Sequence, residues 1–460
     1  MPSCQVCWGA WRCSNACADA GFAIVSWFSR SSHEADGMNK PVVLLASGTR
    51  GDVLPCLALA LGLKAAGCAV RVATHAPFRE LVERRGLEFA LLEGNPSELL
   101  SAPGGQSALT YDGNWLRSGR ATLRYLRQAR PIYRQMLENA WQVCQGARAI
   151  VVGLASTWGD HIAEALGVPC LWCFLQPFSR TRFYPSAMLP GRFSLGSSYN
   201  LLSHRLVEQA MWLPWRAEIN RWRTQTLQLP PLSWSAPYSK LYCRLETVLY
   251  GFSPQVAPPQ PDWPAWHQVV GYWFLDDLPG WEPSPALLRF LQADPPPMYI
   301  GFGSPGTRQP EQMLRLISAA LRATGLRALL DLPAARRFGE SLLPQVLPIN
   351  NVPHAWLFPR VAGLVHHGGA GTTASGLRAG IPALITPLAS DQFFWGERLA
   401  ALGVGPSPVP QRALTSQKLA AALNQIMGDP TMRQRAGDLA QAMRGEDGVG
   451  RAVELILARI

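Results

Sequence analysis

No apolar run reaches the roughly eighteen residues that a membrane-spanning helix needs, because Lys64 breaks the longest candidate. The first residues lack a basic stretch ahead of an apolar core, so no secretory leader is expected. Ten cysteines are scattered over 460 residues without a regular framework, which argues for reduced thiols and a cytoplasmic setting. Cys170 and Cys173 have CxxC spacing, but they lie in the apolar run Pro169 to Leu175 and read as packing residues. There is no Asp-x-Asp pair to hold a divalent cation, so neither metal nor cofactor is expected. The glycine-rich turns are not followed by Gly-Lys-Ser/Thr, which excludes a P-loop. No recognised motif accompanies the basic residues, so nucleic acid is not an expected partner.

Positive charge is present, and it is lopsided. The net charge is +11; residues 1–240 carry 24 basic and 15 acidic side chains, a net of +9, and residues 241–460 carry 18 and 16, a net of +2. Much of the excess comes from Arg117, Arg120, Arg124, Arg127, Arg130 and Arg134, whose spacing of three and four puts them on one helical face. Leu123, Leu126, Tyr133 and Leu137 occupy neighbouring positions on the other side. Such a helix is either an ordinary solvated face or a surface for reversible contact with anionic membranes.

The length suits two or three domains. Residues 1–37 look foreign to the rest of the chain: Cys4, Cys7, Cys13 and Cys17 match no zinc spacing, and a disordered or non-native extension is expected there. From Met38 strand and helix patterns alternate. Strands are read at Val42 to Ala46, Ala69 to Ala73, Ala149 to Val152 and Leu171 to Phe174, with a helix from Pro55 to Ala66. Proline-rich segments interrupt at Pro254 to Pro264 and Pro279 to Pro285, and the pattern restarts at Met298 to Phe302, with a helix from Glu311 to Thr324. Alternation of this kind predicts parallel sheets wrapped by helices. The resulting division is a first Rossmann-like domain at 38–278, a linker at 279–297, a second Rossmann-like domain at 298–440, and a last helix in 441–460 packing back on the first. The facing carboxyl ends of the two sheets should then hold the chemistry.

Three turns stand out there. Val365 to Thr373 runs from an apolar strand through His366, His367, Gly368 and Gly369 into a helix read from Thr373 to Ala383. Backbone N–H groups and the helix dipole make such a junction an anion site. Asp391 and Gln392, beyond that helix, offer a carboxylate and an amide suited to sugar hydroxyls. Gly301-Phe302-Gly303-Ser304 ends another strand, where small residues admit a diphosphate and Ser304 adds a hydroxyl. Gly48-Thr49-Arg50-Gly51-Asp52 ends the first strand; Asp52 is read either as a helix cap or as a general base facing the cleft. Aromatics crowd the stretch from Trp158 to Trp234, and their density suggests an apolar acceptor pocket.

From about Lys40 onward the chain resembles the sterol 3β-glucosyltransferases, GT-B members of the family 1 glycosyltransferases. The resemblance is carried by Gly48 to Pro55, Gln176 to Pro185, Tyr199-Asn200-Leu201, Asn220 to Arg223, Tyr250 to Pro254, Asp262-Trp263-Pro264, Gly271 to Leu275, Gly301 to Ser304, and Val352-Pro353-His354 through Trp395-Gly396. It implies a donor half for UDP-glucose and an acceptor half for a lipophilic alcohol. By position, Asp52 resembles the catalytic base. Ser304, His366, Gly369, Ala370, Gly371 and Thr372 match the diphosphate cradle, and Asp391 and Gln392 match the pair on the sugar. Val352 and Pro353 fall where the base is held, and Trp158, Phe178, Phe183 and Tyr184 in the acceptor region. Ala374 stands in place of a ribose-gripping glutamate, Asp331-Leu332-Pro333 in place of a Gly-Trp-Gly turn, and Pro305 in place of a methionine. The implied reaction is a single inverting displacement, with a sterol, a carotenoid, a hopanoid-like lipid or a macrocycle as acceptor. A non-catalytic binding relative is the remaining alternative.

Overall fold

The computed structural model describes residues 40–94, 115–189, 194–234, 238–242, 247–276, 280–303, 309–337 and 343–460, with backbone alone over 115–121. The four early cysteines, Arg117, Arg120 and Ser304 fall outside the residues whose side chains are described.

Two parallel sheets organise the chain. The first holds β1 (Val42–Ala46), β2 (Val70–Thr74), β3 (Glu88–Leu91), β4 (Ala149–Val152), β5 (Cys170–Phe174), β6 (Thr247–Tyr250) and β7 (His267–Val269), in the order β3-β2-β1-β4-β5-β6-β7. The second holds β8 (Met298–Gly301), β9 (Ala328–Asp331), β10 (Val346–Pro348), β11 (Gly363–His366) and β12 (Ala383–Ile385), in the order β10-β9-β8-β11-β12. Every pairing is parallel. Helices cover both faces, so central strands are continuous apolar runs: Val42, Val43, Leu44, Leu45 and Ala46 are all buried. Cys170 and Cys173 are buried in β5, as packing residues should be.

In each sheet the strand order reverses once, between β1 and β4 and again between β8 and β11. Neighbouring connections leave in opposite directions at such a point and open a crevice above the carboxyl ends of the strands. The turns after β1, β8 and β11 are the three singled out by composition.

Helix boundaries differ from the sequence reading at two of these turns. The first helix, α1 (Arg50–Ala65), starts at Arg50 rather than Pro55, because Thr49 and Asp52 cap it: the Thr49 N–H donates to Asp52 Oδ2 at 2.8 Å. The long basic helix is α2 (Trp115–Val143). It is followed by α3 (Gly159–Leu166), α4 (Ser197–Trp212) and α5 (Arg216–Gln225). In the second half, α6 (His354–Leu357) precedes β11, and α7 (Ala370–Ala379) begins at Ala370 rather than Thr373. It ends at Gly380, whose φ of 70° lies in the left-handed region. Next comes α8 (Gln392–Ala401), directly after Asp391.

The last helix, α9 (Gly448–Leu457), returns to the first half. Val449 and Val453 pack so closely on α1 that a Cβ at Gly62 would come within 2.5 Å of Val449. The Trp273 indole N–H donates to the Gly448 carbonyl at 3.0 Å, and the Ser253 hydroxyl to Glu446 at 2.6 Å. Among the described residues no helix is long and apolar enough to cross a membrane.

Candidate active site

On the first-half side, Asp52 lies in the first turn of α1. Its Oδ2 accepts from the Thr49 N–H at 2.8 Å and the Thr49 hydroxyl at 3.0 Å. It therefore caps the helix, yet the same carboxyl lines a small cavity with Ser47, Gly153, Ser156, Gln176 and Trp273. That cavity lies over the reversal of the sheet, bounded by the residues that follow β1 and β4. Burial raises the Asp52 pKa, and the bonds from Thr49 only partly offset the desolvation. A carboxylate with raised proton affinity is the kind a general base requires.

Across the cleft, Asp391 Oδ2 accepts from the Trp395 indole N–H at 2.9 Å. Trp395, one turn along α8, is fully buried and fixes the rotamer of the acid. Burial pushes the Asp391 pKa up to about 6, and the charge of Asp52 adds to that shift. Two half-buried carboxyls from opposite halves thus lie close enough for their charges to interact. Gln392 is half committed: its Oε1 accepts from the Leu388 N–H at 2.8 Å and the Ala389 N–H at 3.2 Å. Its amide NH2 remains as a donor.

Between them lies the turn after β11. Gly368 has a φ of +93°, and a Cβ there would come within 2.6 Å of Ile385, so glycine is needed. Gly369 is the N-cap of α7, and Ala370, Gly371 and Thr372 form its first turn with open N–H groups. Gly371 is exposed, and a Cβ there would meet nothing within 4 Å. The two histidines diverge. His366 is fully buried; its Nδ1 accepts from the Gly368 N–H at 3.1 Å, which puts the ring proton on Nε2, where it has no partner. His367 is the ring that meets both glycine turns: a Cβ at Gly303 or at Gly369 would come within 2.6 Å of it. Burial keeps both rings neutral, with the His367 pKa lowered to about 4.

Val352 and Pro353 are half-buried just before α6. There His354 stacks on Phe358 with centroids 4.3 Å apart. Burial lowers the His354 pKa to about 4, and the next cause is the charge of Arg50 from the first turn of α1. Arg50 and Trp395 are the residues that sequence reasoning left without a role. The signals for them were local: Arg50 stands two residues before Asp52, and Trp395 four after Asp391.

The four aromatics assigned to the acceptor separate into two pairs. Trp158 and Phe178 are 3 % and 2 % exposed and pack in the core of the first half, Phe178 against Phe174 and Tyr238. Phe183 and Tyr184 instead line a cavity between the halves with Pro185, Leu189, Phe393 and Phe394. The only metal-like cluster among the described residues, Asp160, His161 and Glu164 on α3, is already neutralised. Lys240 lies 2.8 Å from Asp160, and Arg223 lies 2.8 Å from Glu164.

Both halves of the chain match known protein domains. Residues 42–185 match the glycosyltransferase family 28 N-terminal domain, and residues 320–450 the C-terminal domain of erythromycin biosynthesis protein CIII-like proteins. The sterol 3-beta-glucosyltransferase of Komagataella phaffii is 34 % identical over 430 residues, covering 90 % of this chain and 34 % of its own. That of Emericella nidulans is 34 % identical over 431 residues, covering 90 % and 30 %. The chain spans about a third of the length of these relatives. Among solved structures, the glycotransferase of kitacinnamycin superposes with a TM-score of 0.66 at 19 % identity, covering 92 % of this chain and 99 % of that one. The glycosyltransferase SnogD from Streptomyces nogalater gives 0.61 at 18 %, covering 92 % and 100 %. With a glycosyltransferase N-terminal domain match followed by an erythromycin biosynthesis CIII-like C-terminal domain match on two facing Rossmann-like sheets, the chain has the GT-B fold of these solved glycosyltransferases and is similar over 90 % of its length to sterol 3-beta-glucosyltransferases.

Proposed function

We propose that this protein is an inverting glycosyltransferase that moves a hexose, glucose in the first instance, from its UDP donor to the hydroxyl of a sterol-like lipid. The observation that carries the reading is a pair of acids from opposite halves, Asp52 and Asp391, whose pKa values burial raises and whose charges interact, together with the open N-terminus of α7. Asp52 would take the proton of the acceptor hydroxyl as that oxygen attacks the anomeric carbon. The first-turn N–H groups of α7, with a neutral histidine and the Ser304 hydroxyl, would receive the charge on the departing diphosphate. A helix terminus can fill the part a cation plays elsewhere, so the reading requires no metal. Asp391 and the free amide of Gln392 would hold the sugar hydroxyls, and Val352 and Pro353 would flank the base. One displacement turns an α-linked donor into a β-glycoside.

The acceptor side is the less constrained. Phe183 and Tyr184, at the cavity between the halves, are better placed than Trp158 and Phe178 to touch a lipid. A lipophilic acceptor also implies approach to a membrane, for which the exposed arginines of α2 are the first candidates. The test is incubation with UDP-glucose and a panel of sterol, carotenoid and macrocyclic alcohols, with products read by mass and anomeric configuration. A β-glucoside of a sterol is the expected product; turnover of macrocycles alone would overturn the acceptor class, and an α-glucoside the mechanism.

A further inference from the structure

Large apolar side chains exposed to solvent concentrate in one part of the molecule. Phe183 is 58 % exposed, Leu195 77 %, Leu202 52 %, Leu206 58 % and Leu213 53 %. Leu202 and Leu206 lie one turn apart on α4, and Leu213 at its C-cap falls on the same stripe. The opposite face of α4 is fully occupied. Its Asn200 amide donates to the Arg182 carbonyl at 2.8 Å, the Ser186 N–H donates to Ser203 Oγ at 2.8 Å, and His204 Nε2 lies 3.2 Å from the Tyr184 carbonyl. The helix therefore clamps the segment Arg182 to Ala187 from outside, and residues 183–187 of that segment line the cavity between the halves. The leucine stripe and this cavity lie on either side of one wall.

Charge says what covers the stripe. The two acids between Phe183 and Gln225, Glu208 and Glu218, are 2 % and 4 % exposed. Both are spent on arginines: Arg180 Nε donates to Glu208 at 2.8 Å, and Arg134 Nη2 to Glu218 at 3.0 Å. Exposed basic charges flank the leucines, Arg182 beside Phe183 and Arg205 between Leu202 and Leu206; the exposed acid at this edge, Asp262, is bonded to the Thr181 hydroxyl and the Arg182 N–H. Tyr133 of α2 meets Trp215, which joins α4 to α5, with centroids 4.4 Å apart, so the exposed Arg124, Arg127 and Arg130 belong to a helix packed at this corner. An apolar stripe flanked by exposed arginines, with its own two acids buried and Asp262 held in hydrogen bonds at the edge, complements an anionic lipid surface.

We propose that the outer face of α4, with Phe183 and Leu195, seats this protein on an anionic bilayer, its leucines entering the headgroup boundary. The purpose of such a seat rests on the lipid-acceptor reading; its existence does not.

The experiment uses the full chain and sterol-free vesicles of about three parts phosphatidylcholine to one part phosphatidylglycerol. Binding is measured by flotation at low and high salt, without donor or acceptor. Leu202→Gln with Leu206→Gln should weaken partition at least about tenfold at both salts, because an apolar term is not screened. Arg124→Gln with Arg127→Gln should weaken it only at low salt. Leu202→Met with Leu206→Met should restore wild-type binding. Turnover of a detergent-dispersed acceptor should be the same in all of them. Vesicle binding unaffected by the glutamines would overturn the proposal, as would an equal loss of turnover in detergent, which would make the stripe part of the fold. A wild-type dimer that the glutamines dissociate would reassign the face to a second copy of the chain. Absence of turnover in every variant would sink the transferase reading and leave the vesicle result standing.

Discussion

The two halves have the same plan and opposite chemistry. Each is a parallel sheet whose order reverses once, and in each the residues that matter follow the strands on either side of that reversal. In the second half the crevice is built from backbone: Gly303, Gly368 and Gly369 make room for the turn that leaves the first-turn N–H groups of α7 open, and neutral histidine rings pack against it. In the first half it is built from side chains, with Asp52, Ser47, Ser156 and Gln176 around a small cavity. Backbone dipoles suit a ligand whose charge is always in the same place, as on a diphosphate. Side chains suit a ligand recognised by its shape and hydroxyl. On the proposed function, one scaffold would accommodate donor and acceptor separately because the two crevices use different parts of the polypeptide.

The sharpest way to break this comparison is to remove the acid from the first crevice. Asp52→Asn should keep the Thr49 cap and lower turnover by about 10²–10⁴, with UDP binding near wild type by calorimetry. A variant retaining half of its turnover would leave Asp52 a cap only. Next in size is a side chain in the second crevice. Gly369→Val drives carbon into the His367 ring, where a Cβ alone would come within 2.6 Å. It should weaken UDP affinity about 10-fold or more through lost charge-assisted hydrogen bonds, while acceptor binding is spared. Equal losses on both sides would mean that the halves are not separable.

The third prediction concerns pH. The Asp391 carboxyl titrates at about 6, above its ordinary value of 3.8, because burial penalises its charged form. The folded state therefore holds this proton more tightly than the unfolded chain. The stability it contributes is present at low pH and is lost as pH rises through about 6. Asp391→Asn should accordingly raise stability at pH 7 by about 1–3 kcal/mol, with no gain near pH 4, in denaturant titrations at both values. The same variant should lose donor turnover, because the carboxylate that costs stability would hold the sugar. Smallest of all is Arg378→Ala. It removes an exposed pair with Asp276 at 2.8 Å that ties α7 to the end of the first half, and should cost less than about 1 kcal/mol by thermal melting.

Much of the fold was legible because its strands are buried on both faces and therefore read as unbroken apolar runs ended by glycine. The reversals of order were not legible, since they depend on which strands pair. At the candidate site, adjacency in sequence hid a divergence in space. His366 ends β11 and turns into the core, whereas the next residue, His367, points to the opposite side, where the glycine turns meet. Aromatic density had the same weakness. Trp158 and Tyr184 look alike in composition, but one packs beneath the sheet and the other opens on a cavity. Asp52 shows that two readings of one residue need not compete: the bonds that cap α1 also hold the carboxyl at the cleft.

The return of α9 to the first half has a mechanical consequence. The second half is joined to the first by two crossings of the chain, one leaving after β7 and one re-entering before α9. These crossings touch: a Cβ at Gly448 would lie 2.5 Å from the Gly271 carbonyl carbon. Two tethers pinned at a common point would resist sliding of one half past the other and leave rotation about the pin as the softer motion. On the proposed function, an angle at Gly271 and Gly448 would set the opening for donor entry and UDP release, two residues from Trp273 of the Asp52 cavity.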